Sequence, residues 1–328
     1  MQTDLRKKLI DAFNLSNGEF LSGQKLAEIA GCSRTAVWKH MEDLRHDGFV
    51  IEAVRKKGYR IVKVPGKVSG DEISLGLKTE RLGRTIHYEE SVESTQKIAH
   101  RLAAEGAPEG TLIVADEQTM GRGRLGRKWH SPKYTGIWTS LILRPDLPPA
   151  KAPQLTLIAA VAAVQAIEDV TELTSQIKWP NDILIGKKKV TGILTELQAE
   201  SDRINAIIIG IGMNVNQRVT DFPPELFETA TSLSIEKGED TSRASLIQAL
   251  LLRFENLYDI YLSQGFLPIK LLWESYAISI GQRIIARTLT GDYKGIAQGI
   301  TDDGVLKLEE EDGNIRQIYS ADILLEEE

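Results

Sequence analysis

Four cations lie within seven residues of a glycine-rich stretch, and their type and spacing indicate anion binding. The stretch spans residues 121–129, and its cations are Arg122, Arg124, Arg127 and Lys128. Unpaired cations are costly to bury in a core, and three glycines give this backbone unusual freedom. Because a guanidinium group matches carboxylate and phosphate oxygens, we expect the segment to close over an anionic ligand. A solvated basic loop is the alternative.

Gly121, Gly123 and Gly126 match the bare pattern of a dinucleotide fingerprint, but the surrounding sequence does not. A strand-like run at 111–115 precedes them, whereas loop residues and a second strand at 137–143 follow where the fingerprint requires a helix. No Gly-Lys-Ser/Thr sequence ends the stretch, so it is not a Walker loop. A nucleotide would therefore have to bind by another geometry.

A second motif, KWPND at residues 178–182, places a cation and an acid on either side of a corner. A Trp-Pro step before two turn-forming residues predicts a rigid turn, and a purely structural hairpin turn is the alternative. Lys178 and Asp182 could flank a phosphate and its magnesium ion. The strand that follows would present Lys189 beside them.

Together these motifs resemble the biotin protein ligases, in particular the bifunctional type that is also a biotin-operon repressor. The resemblance covers residues 85–220 and rests on motifs in a fixed order. They are Glu93-Ser94-Thr95-Gln96, Asp116-Glu117-Gln118, residues 121–129, residues 178–182, residues 189–196 and Gly210-Ile211-Gly212-Met213-Asn214-Val215-Asn216. The resemblance implies an ATP-dependent biotin protein ligase. It would form biotinyl-5′-AMP and transfer biotin to a lysine of a biotin carboxyl carrier domain, such as that of acetyl-CoA carboxylase.

The resemblance also implies which residues act. Arg122, Arg124 and Lys189 would be catalytic, because two like unit charges at 4 Å repel by roughly 4 kcal/mol at an effective dielectric near 20. The biotin-binding set would be Ser94, Thr95, Gln96, Gln118, Arg122, Gly123, Arg124 and Lys189. The nucleotide-binding set would be Gly121, Arg127, Trp129, Lys178, Asn181, Asp182 and Asn214. Trp129 would stack on adenine, and Asp182 is the candidate ligand for Mg²⁺.

The charge of the chain is uneven, which suggests DNA contact at one end only. The net charge is −6, yet residues 1–65 contain 12 Lys/Arg and 8 Asp/Glu, while the remaining residues contain 28 and 38. A basic amino-terminal module is therefore joined to an acidic body.

The amino-terminal pattern predicts a winged helix-turn-helix. Apolar spacing predicts helices at 4–13, 23–30 and 34–47, with Ser22 and Ser33 as caps, and two strands at 49–54 and 58–62. The third helix would read base edges and the wing tip would contact phosphates or the minor groove. The DNA-binding candidates are Ser33, Arg34, Thr35, Trp38, Lys39, Arg55, Lys56 and Lys57. Because one such helix covers few bases, we expect a homodimer on operator DNA, promoted by biotinyl-AMP; a winged helix used for protein contacts is the alternative.

The predicted fold class is a multidomain α+β chain. We expect a winged helix-turn-helix at 1–65, a linker at 66–80, a catalytic domain with a mixed sheet at 81–276 and an SH3-like β-barrel at 277–328. Ser94 would cap a helix from 95 to 105, and Asp-Gly steps near 303 and 312 predict hairpins in the last domain.

Composition and cysteine content favour a cytoplasmic protein without a membrane segment. The single Cys32 excludes an intrachain disulfide framework. The apolar stretch 155–167 is too short to span a bilayer and predicts a buried helix. Two other functions remain open at this point: an acyl ligase for lipoate, and a winged-helix repressor that senses a small molecule without catalysis.

Overall fold

The computed structural model describes residues 2–16, 18–63, 68–200 and 203–326. The chain folds into two compact units, Met1–Lys78 with Ser242–Gln248, and Thr79–Thr241 with Ala249–Glu328. The helices are α1 (Gln2–Leu15), α2 (Gly23–Ala30), α3 (Arg34–His46), α4 (Gly70–Ser74), α5 (Thr95–Ala104), α6 (Ala152–Thr171), α7 (Leu233–Lys237), α8 (Arg243–Gln264) and α9 (Leu267–Tyr276). The strands are β1 (Val50–Val54), β2 (Gly58–Lys63), β3 (Ile86–Val92), β4 (Leu112–Gln118), β5 (Gly136–Leu143), β6 (Gln176–Lys178), β7 (Asp182–Ile185), β8 (Lys188–Glu200), β9 (Arg203–Asn214), β10 (Arg283–Thr288), β11 (Gly291–Ile300), β12 (Leu306–Glu309), β13 (Ile315–Ile318) and β14 (Asp322–Leu325).

The first unit contains the predicted winged helix-turn-helix. Ser22 and Ser33 begin α2 and α3, and their hydroxyls accept the backbone N–H groups of Lys25 and Ala36. One apolar core joins the three helices to the β1–β2 hairpin. Gly58 has a φ of +112°, and a Cβ there would lie 2.0 Å from the Leu21 carbonyl oxygen. The hairpin can therefore pack against the start of α2 only because residue 58 is glycine.

The second unit is built on a seven-stranded mixed sheet in the order β3-β4-β5-β9-β8-β7-β6. Only β3 and β4 pair in parallel among the described strands. On one face, Ala99 and Ala103 of α5 pack against Ile113, Ile142 and Ile208 of the sheet. The register places Ser140, Gly210 and Leu194 side by side in β5, β9 and β8, and Gly212 opposite Gly192 in the next row. Alternation along a strand puts all of these residues on the face that α5 covers.

Helix α6 covers the sheet strands β6 to β9 and is longer than the apolar stretch predicted from sequence. Together with the turn before it, Pro149–Thr171, it is long and apolar enough to cross a bilayer by length and composition. The apolar stretch 155–167 is only part of this helix, which continues beyond it at both ends. Its apolar side chains are mostly buried inside the protein, as expected of a core helix.

The carboxyl-terminal residues form a five-stranded antiparallel sheet in the order β13-β12-β11-β10-β14. The two predicted hairpin turns lie between β11 and β12 and between β12 and β13.

Two elements differ from the sequence prediction. Strand β3 was not predicted, because it is an outer strand with three exposed residues and lacks the alternation of a half-buried strand. The stretch 66–80, expected to be a linker, contains the short helix α4, whose Ile73 is buried; Gly66 and Lys67 lie outside the described residues.

Candidate functional site

A cavity of about 350 Å³ lies between the start of α5, the glycine-rich loop 121–129 and strands β8 and β9. The predicted ligand-site residues lining it are Ser94, Thr95, Gln96, Gln118, Arg122, Gly123, Arg124, Arg127, Trp129, Lys178, Asn181, Asp182, Lys189 and Asn214. Of the predicted set, Gly121 does not line the cavity. The two basic motifs, more than fifty residues apart in sequence, therefore meet at one site.

The glycine-rich loop folds back on itself. The Gly123 N–H donates to the Arg127 carbonyl (2.7 Å), and the Trp129 N–H donates to the Gly121 carbonyl (2.9 Å). A Cβ on Gly121 would lie 2.5 Å from the Trp129 carbonyl oxygen. The absent side chain of Gly121 thus lets the loop return on itself, which explains why this residue lies outside the cavity wall.

Arg124 is a half-buried cation held by neutral partners. Its Nη1 donates to Asn181 Oδ1 (2.9 Å) and its Nη2 donates to Ser320 Oγ (2.7 Å). Burial lowers the pKa of its guanidinium, and the charges of Asp182 and Asp322 act in the opposite direction. A desolvated cation bonded only to neutral groups is well suited to receive an anion.

Lys189 and Asp182 form an ion pair in the cavity wall, with 2.6 Å between Lys189 Nζ and Asp182 Oδ1. Both side chains are about one quarter exposed. Asp182 is the candidate Mg²⁺ ligand, and no group of three or more His, Cys, Asp or Glu side chains suited to a metal occurs among the described residues. One carboxylate fits Mg²⁺ that is held mainly by substrate phosphates and water.

Trp129 lies over two glycines of the sheet. A Cβ on Gly212 would be 2.4 Å from Trp129 Nε1, and a Cβ on Gly192 would be 2.8 Å from its Cζ3. Lys189 Nζ lies 5.2 Å from the ring centroid, within the range of a cation–π contact. The indole Nε1 is buried without a hydrogen-bond partner among the described residues. The two glycines therefore leave a flat surface on the sheet, against which an aromatic ring can pack.

Thr95, Gln96 and Gln118 line the other half of the cavity, and the buried hydroxyl groups of Ser131 and Ser140 bond to them from outside it. We call this set the polar row: Ser131, Gln118, Thr95, Ser140 and Gln96. Gln118 Oε1 accepts from the Thr95 backbone N–H (2.9 Å), and Gln118 Nε2 donates to Ser131 Oγ (3.0 Å). Ser140 Oγ lies 2.9 Å from Thr95 Oγ1 and 2.7 Å from Gln96 Oε1. Small neutral groups of this kind suit an uncharged polar ring.

Ser94 occupies the predicted cap position of α5, but its side chain makes no cap hydrogen bond. The first N–H of the helix, that of Thr95, donates to Gln118 Oε1. Ser94 is nevertheless buried and lines the cavity. The helix itself ends one residue earlier than predicted, at Ala104.

The two asparagines of the site make structural bonds. Asn181 Nδ2 donates to the Ile193 carbonyl (2.8 Å), and Asn214 Nδ2 donates to the Thr231 carbonyl (3.0 Å). The Trp179–Pro180 peptide bond in the KWPND corner is cis. The Asn181 contact holds the corner against β8, and the Asn214 contact holds Thr231 against the end of β9.

In the first unit, the predicted DNA-contacting residues lie on two exposed surfaces. Arg34, Thr35, Trp38 and Lys39 are exposed on α3, and Ser33 is its cap. The exposed wing tip between β1 and β2 carries Arg55, Lys56 and Lys57. Lys57 Nζ lies 5.9 Å from the centre of the Phe20 ring.

Several residues of the site gave no usable signal in the sequence. Ser320 and Asp322 reach the cavity from the carboxyl-terminal sheet, and Phe222 and Leu226 line it from the segment after β9. Ser140 and Ser131 complete the polar row. None stands in a recognisable motif, so only the fold reveals them.

Models of known protein families match all three parts of the chain. Residues 88–214 match the biotin/lipoate A/B protein ligase family, residues 6–60 match an HTH domain, and residues 279–325 match the biotin protein ligase C terminal domain.

Individual relatives agree. The bifunctional ligase/repressor BirA of Bacillus spizizenii is 59% identical over 325 residues, 99% of this chain and 100% of the relative. The bifunctional ligase/repressor BirA of Escherichia coli is 29% identical, over 95% of this chain and 94% of the relative. The structure of a biotin protein ligase from Aquifex aeolicus in complex with biotin and ATP has a TM-score of 0.65 and 32% identity, covering 75% of this chain and all of that one. This chain belongs to the family of biotin protein ligases, in its bifunctional ligase/repressor form.

Proposed function

We propose that the cavity binds biotin and ATP and joins them, and that the product biotin is then passed to a carrier protein. The observation that carries this proposal is the meeting of two environments in one cavity: the neutral polar row at one end, and Arg124, Lys189 and Trp129 at the other. Relatives named as ligases, and a related structure in complex with biotin and ATP, support the same substrates.

The first step would join two anions. A carboxylate oxygen of biotin attacks the α-phosphorus of ATP, the bond to the β-phosphate oxygen breaks, and pyrophosphate leaves. Arg122, Arg124 and Lys189 would reduce the repulsion between the carboxylate and the phosphates. Arg124 suits this role because its desolvated charge is bonded only to neutral groups.

Each half of the cavity would bind one substrate. The ureido ring of biotin would lie on the polar row, with Ser94 and Gly123 beside it. The adenine would stack on Trp129, and Arg127, Lys178, Asn181, Asp182 and Asn214 would surround the ribose and phosphates. Mg²⁺ would be carried by the phosphates with Asp182 as the nearest carboxylate, and it would supply further neutralisation of charge.

The second step needs a partner. The amine of a lysine on a biotin carboxyl carrier domain attacks the carbonyl carbon of the mixed anhydride, loses a proton and forms an amide, and AMP leaves. Enclosure of the anhydride by loop 121–129 would limit its hydrolysis before the carrier arrives.

The winged helix would make the protein a repressor of biotin genes. Its exposed α3 and basic wing tip support operator binding, with Arg34 and Thr35 at base edges and Arg55, Lys56 and Lys57 at phosphates. A homodimer promoted by biotinyl-AMP would supply two such helices to two half-sites. Both partners, a carrier protein and operator DNA, would place the protein in the cytoplasm.

The test is adenylate formation by wild type and Arg124→Ala. We expect wild type to release pyrophosphate and retain biotinyl-AMP, and the variant to be slower by about 10²-fold or more. Lys25→Ala, in the first unit, is the control for loss of a cation. Equal rates in wild type and Arg124→Ala would contradict the assigned role, and product formed from lipoate but not biotin would contradict the substrate.

A further inference from the structure

We propose that Glu196 is a positioning residue for biotin, because its carboxylate fixes the orientation of the Gln96 amide and so the hydrogen-bond pattern that the polar row offers to the ligand. Glu196 follows Leu194 on β8 and does not line the cavity. The inference rests on the proposed binding of biotin and adds a residue that acts through another.

Glu196 determines which way the Gln96 amide points. Gln96 Nε2 lies 3.0 Å from Glu196 Oε2 and 3.4 Å from the Leu194 carbonyl oxygen. An ionised carboxylate and a carbonyl can only accept hydrogen bonds, so the NH₂ group must face them. Gln96 Oε1 therefore points the other way, toward Ser140, and acts as an acceptor. Gln96 is buried, with 4% of its surface exposed, so water cannot substitute for these partners.

The orientation of the Gln96 amide determines how Ser140 uses its hydroxyl hydrogen and, through Ser140, which hydrogen bonds Thr95 makes. The buried Ser140 hydroxyl has one hydrogen, which goes to Gln96 Oε1 at 2.7 Å. Ser140 Oγ also lies 2.9 Å from Thr95 Oγ1, but its single hydrogen is directed to the shorter contact with Gln96. The single Thr95 hydroxyl hydrogen is donated to Gln118 Oε1, 3.1 Å away.

The consequence is an acceptor at the cavity wall. Thr95 lines the cavity, and its hydroxyl hydrogen is donated to a group of the protein. The lone pairs of its oxygen therefore face the cavity. A ureido ring carries two N–H donors, which such an oxygen can accept. With the Gln96 amide reversed, Ser140 would donate to Thr95 instead, and the pattern facing the ligand would change.

Glu196 is itself held from outside the cavity. Gln198 Nε2 donates to the His100 carbonyl (2.7 Å) and lies 3.1 Å from His100 Nδ1, which must therefore accept. The proton of the neutral imidazole is then on Nε2, which lies 3.1 Å from Glu196 Oε2. The Glu196 and His100 side chains are 37% and 32% exposed, so the pair contributes little to stability. A change here can thus alter ligand affinity without unfolding the protein.

The experiment compares Glu196→Met, which removes the acceptor at similar size, with Glu196→Gln, whose Oε1 can still accept from Gln96 and His100. Biotin affinity is measured by calorimetry on the full chain, and the KM for ATP·Mg²⁺ by pyrophosphate release. We expect Glu196→Met to weaken biotin binding by about tenfold or more, the loss of a hydrogen bond to a charged group. We expect the KM for ATP to stay within about twofold, and Glu196→Gln to restore most of the biotin affinity.

The matched control is Glu89→Met. Glu89 Oε1 lies 3.2 Å from His87 Nε2 with 48% and 35% exposure, and neither residue lines the cavity. This variant should bind biotin as wild type does. Ser140→Ala provides an independent route if Glu196→Met does not fold, since it removes the donor to Gln96 Oε1 and should give the same selective loss.

Three results would overturn the inference: wild-type biotin affinity in Glu196→Met, equal weakening in the Met and Gln variants, or equal losses for biotin and ATP. Failure of wild type itself to bind biotin would instead refute the proposed function.

Discussion

Arg127 and Asp322 form an ion pair that joins the glycine-rich loop to the carboxyl-terminal sheet, 195 residues further along the chain. Arg127 Nη1 lies 3.3 Å from Asp322 Oδ1, and Nη2 contacts the other carboxylate oxygen. Arg124 makes a second link of this kind, to Ser320. The hydrogen bonds from Arg127 lower the pKa of the Asp322 carboxyl. The last domain therefore helps to position the loop that closes the cavity.

Asp322→Asn should loosen the loop without destabilising the fold. Exposed ion pairs contribute about 0–1 kcal/mol, so the Tm should hardly change. Trypsin should cut after Arg127 several times faster, because cleavage follows local opening. Asp303→Asn, which breaks the exposed Lys151–Asp303 pair in the same unit, is the control. Equal cleavage rates in all three proteins would show that the pair does not hold the loop.

Substitutions of two glycines on one face of β9 should affect the two halves of the cavity separately. A Cβ on Gly210 would lie 2.9 Å from Gln96 Oε1, whereas one on Gly212 would lie 2.4 Å from Trp129 Nε1. We expect Gly210→Ala to weaken biotin binding, and Gly212→Ala to raise the KM for ATP and shift the Trp129 fluorescence. Calorimetry, kinetics and fluorescence on both variants check this. Identical effects of the two substitutions would contradict the assignment of the two halves.

Asp182→Asn tests whether this carboxylate serves the metal or only its lysine partner. Mg²⁺ bound mainly by phosphates gains from one protein carboxylate, so its removal should raise the Mg²⁺ concentration needed for half-maximal adenylation by several fold. The titration is run at saturating ATP. If the rate falls but the Mg²⁺ requirement is unchanged, Asp182 does not bind the metal. Its role would then be only to hold Lys189, whose Nζ lies 2.6 Å from the Asp182 carboxylate.

The wing tip and the third helix should contribute differently to DNA binding. Replacing Arg55 and Lys56 by glutamine removes two expected phosphate contacts from each protomer of the dimer, so the slope of log K against log salt should fall by about 4. Arg34→Ala should instead relax sequence preference, with a smaller change of slope. Binding is measured at several salt concentrations on operator and random DNA in the presence of biotinyl-AMP. Equal slopes for wild type and the wing variant would show that the wing does not contact phosphates.

The Asp169–Arg253 pair between α6 and α8 should make stability depend on pH. Arg253 donates two hydrogen bonds of 2.7 Å to Asp169, and they lower the pKa of that carboxyl. The stabilisation is present above the unfolded pKa, near 3.9, and is lost as pH falls through the lower folded value. Asp169→Asn should therefore cost about 1 kcal/mol at pH 7, and its Tm should approach that of wild type below about pH 4. A gap that does not shrink as the pH falls from 7 to about 2 would exclude this ion pair as its cause.

The sequence predicted what depends on neighbouring residues. Ser22 and Ser33 are caps, and the wing hairpin and the KWPND corner are where their turn residues indicate. Each follows from local chemistry, since a cap, a turn or a loop is specified within a few residues.

The sequence could not reveal what depends on distant pairing. Strand β3 escaped prediction because an outer strand needs no apolar alternation. Ser140, Ser320 and Asp322 became site residues only when the sheet register and the last domain brought them to the cavity. Ser94 stands at the cap position of α5, but that its side chain makes no cap hydrogen bond and lines the cavity is visible only in the fold.

The most direct test of this account is to incubate the full chain with biotin and ATP·Mg²⁺ and to look for bound biotinyl-AMP and free pyrophosphate. The account predicts one adenylate retained per cavity, one pyrophosphate released for each, and release of AMP once a carrier domain is added. Biotin bound without pyrophosphate release would contradict ligase activity, and no binding of biotin at all would contradict the assignment of the cavity.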